Sequence, residues 1–291
     1  MIRIAYDMET SDPDDVMTMC ILATHPRVDL VAVTVTPGSF EQVGIIKHVL
    51  RLLFRDDVPV GSFRPESKPG AVSGFHDKWL GRTEPEEPDG LGHEILASTL
   101  KKYEGVVVLT GAPLKNLGVL LDLHPDIVVP RWVAQGGFAG DSVVPEEHRL
   151  AKFAGRETCP TFNFNGDPKS AFAMLSSTQV LRRVLVSKNV CHGVTYGPLI
   201  HSEMFSRKLT RGWELVRSGM DVYLRGRPEG KMFHDPMAAA VAIDESVCSF
   251  REVEVYREKG EWGSRLSSGT RTSISVSVDI NSAFSVLLET N

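Results

Sequence analysis

The order of hydrophobic patterns along these 291 residues predicts an α/β fold, an open, mainly parallel, Rossmann-like sheet with helices on both faces. Three observations lead there. Short runs rich in Val and Ile take turns with stretches whose apolar residues recur at helical spacing. The strand-like runs are apolar throughout, as strands covered on both faces are. No repeat, and no linker fit to divide the chain, interrupts the alternation, so residues 1–291 read as a single domain.

The elements follow in order. Strands are expected at about 2–6, 29–36 and 105–110, each short and Val- or Ile-rich. A helix should run from Asp14 to about Thr24. "FEQVGIIKHVLRLLF" carries apolar residues at helical spacing and reads as a second helix. "EILASTLKKY" and "PLKNLGVLLDLHP" read as the third and fourth. "VPRWVAQGG" reads as a strand ending on glycines. "DPKSAFAMLSS" reads as a helix with Pro at its start, where the missing N–H costs nothing. "RRVLVSKNV" is a strand, and "DPMAAAVAIDESV" is helical. Two strands, "FREVEVYRE" and "TSISVSVDI", and a short helix close the chain. The Pro/Glu/Gly-rich stretch 61–92 is the longest irregular segment and is expected to be a mobile flap or plain disorder.

Composition narrows the class. The 42% hydrophobic and 24% charged residues are ordinary for a soluble globular protein. A net charge of -5, with no basic run, argues against a nucleic-acid partner. The four cysteines stand far apart, which reads as reduced thiols rather than a disulfide frame or zinc site. No apolar run approaches the ~20 residues of a membrane span, and no targeting segment precedes the first strand. The expectation is a cytoplasmic protein with no membrane partner.

In open parallel sheets, ligands bind outside the carboxyl ends of the strands. The loops there hold the chemistry. The first, "DMETSDPDD", gathers Asp7, Glu9, Asp12, Asp14 and Asp15 within nine residues. Asp12 and Asp14 could cap the following helix. Asp7, Glu9 and Asp15 are left over, and hard oxygen donors this dense suit Ca²⁺ or Mg²⁺; a solvated acidic turn is the rival reading. Further loops follow as "TPGS", "TGAPLKN", "QGGF", "FNFNGDP" and "CHG" with His192. "KMFHDP" offers His234 and Asp235. Asp235 could cap a helix with Pro236 at its first position, or complete a cation site beside a histidine able to protonate a leaving group.

These loops resemble the nucleoside hydrolase family of inosine/uridine-preferring type. The family opens with a D-x-D-P-G-x-D-D motif after its first strand, then shows G-P-L-x-N, an E-F-N-x-x-x-D-P segment, a D-x-T-H-Q-type loop and a late H-D. Here the counterparts are Asp7-Met8-Glu9 with Asp14-Asp15, Ala112-Pro113-Leu114-Lys115-Asn116, Phe162-Asn163 with Asp167-Pro168, Asn189-Val190-Cys191-His192 and His234-Asp235-Pro236. They fall in family order across about 2–240. The resemblance implies the nucleoside hydrolase fold, a bound Ca²⁺, and cleavage of the N-glycosidic bond of a nucleoside or nucleotide-like small molecule. It also implies a homodimer or homotetramer. By position, Glu9 would be metal ligand and general base, Asp14 would grip ribose hydroxyls, and Asp15 and Asp235 would bind the metal. Gly111, or Thr110 one residue earlier, would lend its carbonyl, with Asp7 behind the metal. His234 would stand near the leaving base and Asn163 on the sugar.

The chain also departs from the family. Glu replaces Asp at position 9, one extra residue precedes the Asp pair, and Pro-Gly is lost. Asp12 could therefore enter the shell itself. Ser39 stands where many members bind ribose through Asn, and Thr161 stands where the family holds the 5′-hydroxyl through Glu. Arg156 and Lys152 precede that segment. A lost acid and a gained base point to a substrate modified or anionic at its 5′ position, unless both cations are merely solvated. His76 and Trp79 could close over the base as part of the flap. His192 could line the pocket, and Tyr196 and Tyr223 could stack on the base; for each, simple packing is the alternative.

Two rivals stand beside this reading. A haloacid-dehalogenase-like phosphatase also places acids after its first strand, but here its second acid would be Glu9, and Gly166-Asp167 has Ala171 where the next acid belongs. A non-catalytic ribosyl-ligand binder could keep the cation site without turnover.

Overall fold

The computed structural model describes residues 1–68 and 71–290. Its strands are β1 (Ile2–Met8), β2 (Val28–Val35), β3 (Val60–Ser62), β4 (Gly90–Leu91), β5 (Val107–Thr110), β6 (Arg131–Gln135), β7 (Thr158–Cys159), β8 (Arg183–Val186), β9 (Thr195–Tyr196), β10 (Lys231–Met232), β11 (Cys248–Glu258), β12 (Glu261–Leu266) and β13 (Thr272–Val278). Its helices are α1 (Pro13–Thr24), α2 (Phe40–Leu52), α3 (Phe75–Leu80), α4 (Gly92–Lys102), α5 (Lys115–Leu123), α6 (Phe162–Gly166), α7 (Pro168–Ser176), α8 (Lys188–Cys191), α9 (Pro198–Met204), α10 (Arg211–Gly226), α11 (His234–Ile243) and α12 (Ile280–Leu287).

Among the described residues the main sheet runs β4-β3-β2-β1-β5-β6-β8-β13-β11-β12-β7. Every neighbouring pair from β4 to β13 is parallel. The last three pairs are antiparallel. The mainly parallel sheet expected from the alternating pattern is therefore present. Strand order climbs one way from β1 to β4 and the other way from β5 to β8. The reversal between β1 and β5 is a switch point, where a crevice opens at the strand carboxyl ends.

Side chains alternate across β1, so Ile4, Tyr6 and Met8 join one core and Ala5 the other. The first core holds α1, α10 and α11; the second holds Leu114, Leu117 and Trp132. α1 is buried from Pro13 to Ala23 and α11 from Asp235 to Ile243. The alanines 238, 239, 240 and 242 let α11 lie close to its neighbours, and burial of Met237, Val241 and Ile243 stabilises it by roughly 1.5–3 kcal/mol each. The two helices whose first turns carry the key acids are thus among the most deeply seated.

Several expectations change. Stretch 61–92 is largely irregular as expected but is punctuated by the end of β3, by α3 and by β4, while residues 69 and 70 of the expected flap lie outside the described residues. The expected strand 182–190 stops at Val186, because Ser187 accepts from the Val190 N–H and starts α8. α9 and α10 were not expected. α10 does carry the pattern, with Trp213, Val216 and Met220 buried on one stripe and Thr210 as its N-cap, but arginines and glycines dilute it. β12 pairs with β11 through Lys259–Gly260, both at positive φ, a two-residue hairpin turn whose Lys hides the usual Asn-Gly signal.

Candidate active site

β1, β5, β6 and β8 all point their carboxyl ends at one crevice, and α11 opens onto it. The cleft has a volume of about 320 Å³, within the range of small-ligand sites. Glu9, Ser11, Asp12, Asp14 and Asp15 line it after β1, Gly111 after β5, and Gln135 and Gly136 at the end of β6. Thr161, Phe162 and Asn163 contribute from the start of α6, Lys188 and His192 from the region of α8, and His234 and Asp235 from α11.

The acids are individually tethered. Asp15 Oδ1 accepts from the Glu9 N–H at 3.0 Å. Glu9 Oε2 accepts from Ser11 Oγ at 2.6 Å. Asp14 Oδ2 accepts from the backbone N–H groups of His234 (2.9 Å) and Asp235 (3.2 Å), so it caps α11 from another part of the chain. Asp14 Oδ1 accepts from Lys231 Nζ at 3.0 Å. The same ammonium reaches Asp12 Oδ1 at 2.8 Å and the Met232 carbonyl at 2.9 Å. Asp235 Oδ2 accepts from Tyr6 Oη at 3.3 Å and packs directly on Gly111, where a Cβ would lie 2.4 Å from Oδ2.

Protonation follows these contacts. Burial raises Glu9 to about 7, with Asp12 and Asp14 adding to it against the Ser11 hydrogen bond. Burial also raises Asp12, to about 6. For Asp14 burial is outweighed by the Lys231 ammonium, which holds its carboxyl below the usual range. Asp15 and Asp235 go well above that range, through burial and then the charges of Asp235 and Asp14 respectively. The two are only 2% and 4% exposed, and Lys231 is engaged with Asp12 and Asp14. Buried acids without a cation of their own, beside the Gly111 backbone, are hard oxygen donors that fit a divalent ion. Ser11 occupies one lone pair of the Glu9 carboxylate, and the remaining ones can join Asp15 and Asp235 around such an ion.

The opposite side is basic. The His192 and His234 rings stack with centroids 4.7 Å apart. Burial pushes both down, His192 to about 3 with help from His234, Lys152 and Lys188, and His234 to about 4 with help from Lys231. Both rings are thus neutral at neutral pH, and His234 Nε2 is buried without a partner. Cys191 Sγ and nitrogens of these two histidines lie within 4.8 Å of one another. The ammonium of Lys152, 2.8 Å from His192 Nδ1, makes that trio a poor seat for a second cation.

Nine of the expected residues therefore meet: Glu9, Asp14, Asp15, Gly111, Thr161, Asn163, His192, His234 and Asp235, with Asp12 beside them. Others do not line the cleft. Asp7 lies beneath it, fully buried, its Oδ1 accepting from Thr34 Oγ1 (2.6 Å) and Asn116 Nδ2 (2.8 Å). Ser39 is spent in a capping box at the start of α2. His76 is buried with Nε2 3.1 Å from the Thr10 carbonyl, and Trp79 donates to the Leu215 carbonyl of α10. The proposed base-covering pair thus ties α3 to the scaffold. Arg156 is exposed. Tyr196 is a core residue bonded to His201, Tyr223 packs on Phe75, and Thr110 accepts from Trp132. Asp167 caps α7 through Ser170, so the one acid of its later pair that the phosphatase reading had is spent on a helix end.

Sequence reasoning missed Lys231 and Lys188. Lys231 stood in the quoted "KMFHDP", but a lysine three residues before a helix has no signature of its own. Lys188 is hidden because the expected strand runs to residue 190, four residues past the end of β8. Gln135, which accepts from Asn163 Nδ2 at 2.7 Å, sat in a loop that had been singled out but not assigned.

Comparison with known proteins agrees with this geometry. The family described as inosine-uridine preferring nucleoside hydrolase matches residues 4–285. A pyrimidine-specific ribonucleoside hydrolase, RihA, from Salmonella agona is 26% identical over 142 residues, 44% of this chain and 46% of its own length. The chain thus spans about half the length of the curated relatives it matches. A plant nucleoside hydrolase superposes with a TM-score of 0.73 at 17% identity, covering 99% of this chain and 98% of its own. A purine-preferring ribonucleoside hydrolase from Gardnerella vaginalis superposes with a TM-score of 0.73 at 17% identity, covering 98% and 96%.

Proposed function

The chain belongs to the inosine-uridine preferring nucleoside hydrolase family, and from that premise we propose that it hydrolyses the N-glycosidic bond of a ribonucleoside or related ribosyl compound, with Ca²⁺ in the acidic shell. The observation that carries the reading is the convergence of Glu9, Asp15, Asp235 and Gly111 at the switch point, facing His234 across one cleft. When bound, the divalent cation supplies Lewis-acid polarisation of a water molecule and of sugar hydroxyls. Asp15, Asp235, Glu9 and the Gly111 carbonyl are the groups that would hold it.

The chain's own residues do the rest. Glu9, whose carboxyl is pushed up chiefly by burial when no cation is bound, is the carboxylate placed to accept a proton from the attacking water. Asp14 has one acceptor position left on Oδ1 after Lys231, enough for one sugar hydroxyl. The acids around it favour positive charge developing at the anomeric carbon. His234, neutral and with a free ring nitrogen, offers a hydrogen bond to the departing base. Among the described residues no helix is long and apolar enough to cross a membrane. A cytoplasmic homodimer or homotetramer acting in base salvage is the setting we propose.

One observation favours a rival. Ser11 on Glu9 and Lys231 on Asp14 would also suit a ribosyl-ligand binder that no longer turns over. Incubation with inosine, uridine, adenosine and cytidine, with added Ca²⁺ or with EDTA, decides. Base release abolished by EDTA is expected. Binding without release would establish the binder, and release unaffected by EDTA would refute the metal's role.

A further inference from the structure

The glycosidic reading uses the acidic side of the cleft and the two histidines. It leaves Lys188 and Thr161 of the lining unexplained, with Lys152 just outside it against His192. Lys152 and Lys188 flank the same ring, their Nζ atoms 5.2 and 5.9 Å from the centroid of Phe153. Among the described residues neither forms an ion pair with a carboxylate. Lys152 Nζ reaches His192 Nδ1 (2.8 Å) and the His192 carbonyl (3.4 Å), and Lys188 Nζ reaches the Pro160 carbonyl (2.9 Å). All of these acceptors are neutral. An ammonium carries three donors, so one remains on Lys152 and two on Lys188.

Thr161 follows the carbonyl that anchors Lys188. It is 4% exposed, lines the cleft, and its Oγ1 is buried without a partner. A buried hydroxyl left unsatisfied costs roughly 1–3 kcal/mol, which a ligand atom would relieve. A half-buried ammonium on Lys188 and an exposed one on Lys152, neither with a counter-charge, beside an orphan hydroxyl, match a group that only accepts hydrogen bonds and carries negative charge. The acids on the other side of the cleft would repel such a group, so the ligand must be bipolar, with hydroxyls at the acidic end and an anion at the basic end. Of the two cations expected from sequence, Arg156 has no part in this arrangement, and Lys188 lines the cleft instead.

We propose that Lys188, Lys152 and Thr161 form a subsite for the 5′-phosphate of a ribosyl substrate, so that the cleft takes nucleoside 5′-monophosphates in preference to nucleosides. The proposal rests on the glycosidic reading for the direction of the sugar, since Thr161 and Asn163 stand on the segment assigned to it.

Calorimetric titration of the Ca²⁺-loaded protein with ribose, ribose 5-phosphate and inorganic phosphate reads the subsite without needing turnover. Ribose 5-phosphate should bind roughly 10- to 100-fold tighter than ribose, the ratio that one added charge-assisted hydrogen bond provides. Lys188→Ala should erase most of that ratio, and Lys188→Arg should keep it. Equal affinities for the two sugars overturn the proposal, as does a ratio untouched by Lys188→Ala. Inorganic phosphate binding as tightly as ribose 5-phosphate, with no gain from the sugar, also overturns it. Base release from inosine and inosine 5′-monophosphate reports on the parent reading separately. Release from inosine without any phosphate preference sinks the subsite alone. A phosphate preference without release from either compound sinks the hydrolase alone.

Discussion

Replacing Lys231 with methionine strips Asp12 and Asp14 of the ammonium they share while keeping an unbranched side chain, one atom shorter, and most of its volume. The lysine is 4% exposed and Asp14 2% exposed, so little solvent replaces the lost contacts at 2.8 and 3.0 Å. Removing one partner of a buried ion pair costs about 3–5 kcal/mol, because the remaining charge is uncompensated. For a chain of this size each kcal/mol moves the midpoint by about 2 °C, so Tm should fall by roughly 6–10 °C. The pH dependence has a definite sign. Asp14 is held below its ordinary pKa, so its contribution is complete above the usual carboxylate range and is lost as pH falls through the lowered value. Lys231 is raised despite its burial by Asp14 and then Asp12, so its contribution is complete below the usual lysine range and is lost only as pH rises through the raised value. With Asp12 raised to about 6, the difference between wild type and Lys231→Met should begin to shrink as pH falls through about 6 and shrink further as Asp14 protonates at lower pH. Thermal melts in EDTA from pH 3 to 8 measure it. A shift under about 1 °C at pH 7, or a gap that persists in acid, would refute the argument.

Two further substitutions test the shell. Glu9→Gln removes the proposed proton acceptor while keeping the bond from Ser11. Base release should drop by about 10²–10⁴-fold with ribose binding retained, and an active Glu9→Gln enzyme would show that another group takes the proton. Gly111→Ala places a methyl 2.4–2.8 Å from the Asp235 carboxylate atoms, so that carboxylate has to leave its position. A Ca²⁺ titration should show affinity falling at least tenfold, about 1.4 kcal/mol, with the fold retained by circular dichroism; unchanged affinity would remove Asp235 from the ligand set.

Much of this protein is legible in local pattern. Helical and strand periods located β1, β2, β5, α1, α2, α4, α5, α7 and α11, because each buries one or both faces against the sheet and so must repeat its apolar residues. The dense acids of the first loop and His234-Asp235 marked the cleft, since such groupings need compensation wherever they fold. The roles of His76, Trp79, Ser39 and Tyr196 were not legible. Each is a polar-tipped side chain whose hydrogen bond can be met by scaffold or by ligand, and residue type does not say which.

The chain's order of periods and its clustered acids were enough to specify a parallel α/β sheet with a cation-suited crevice at the end of its first strand. Folding in three dimensions settled how that crevice is charged. Asp14 meets Lys231 and the first turn of α11 from 217 to 221 residues away. Lys188 faces the crevice only because β8 ends at Val186 and α8 turns it inward. Pairings of this kind depend on which strand ends lie side by side, and that is set by the packing of the whole sheet rather than by any local run of residues.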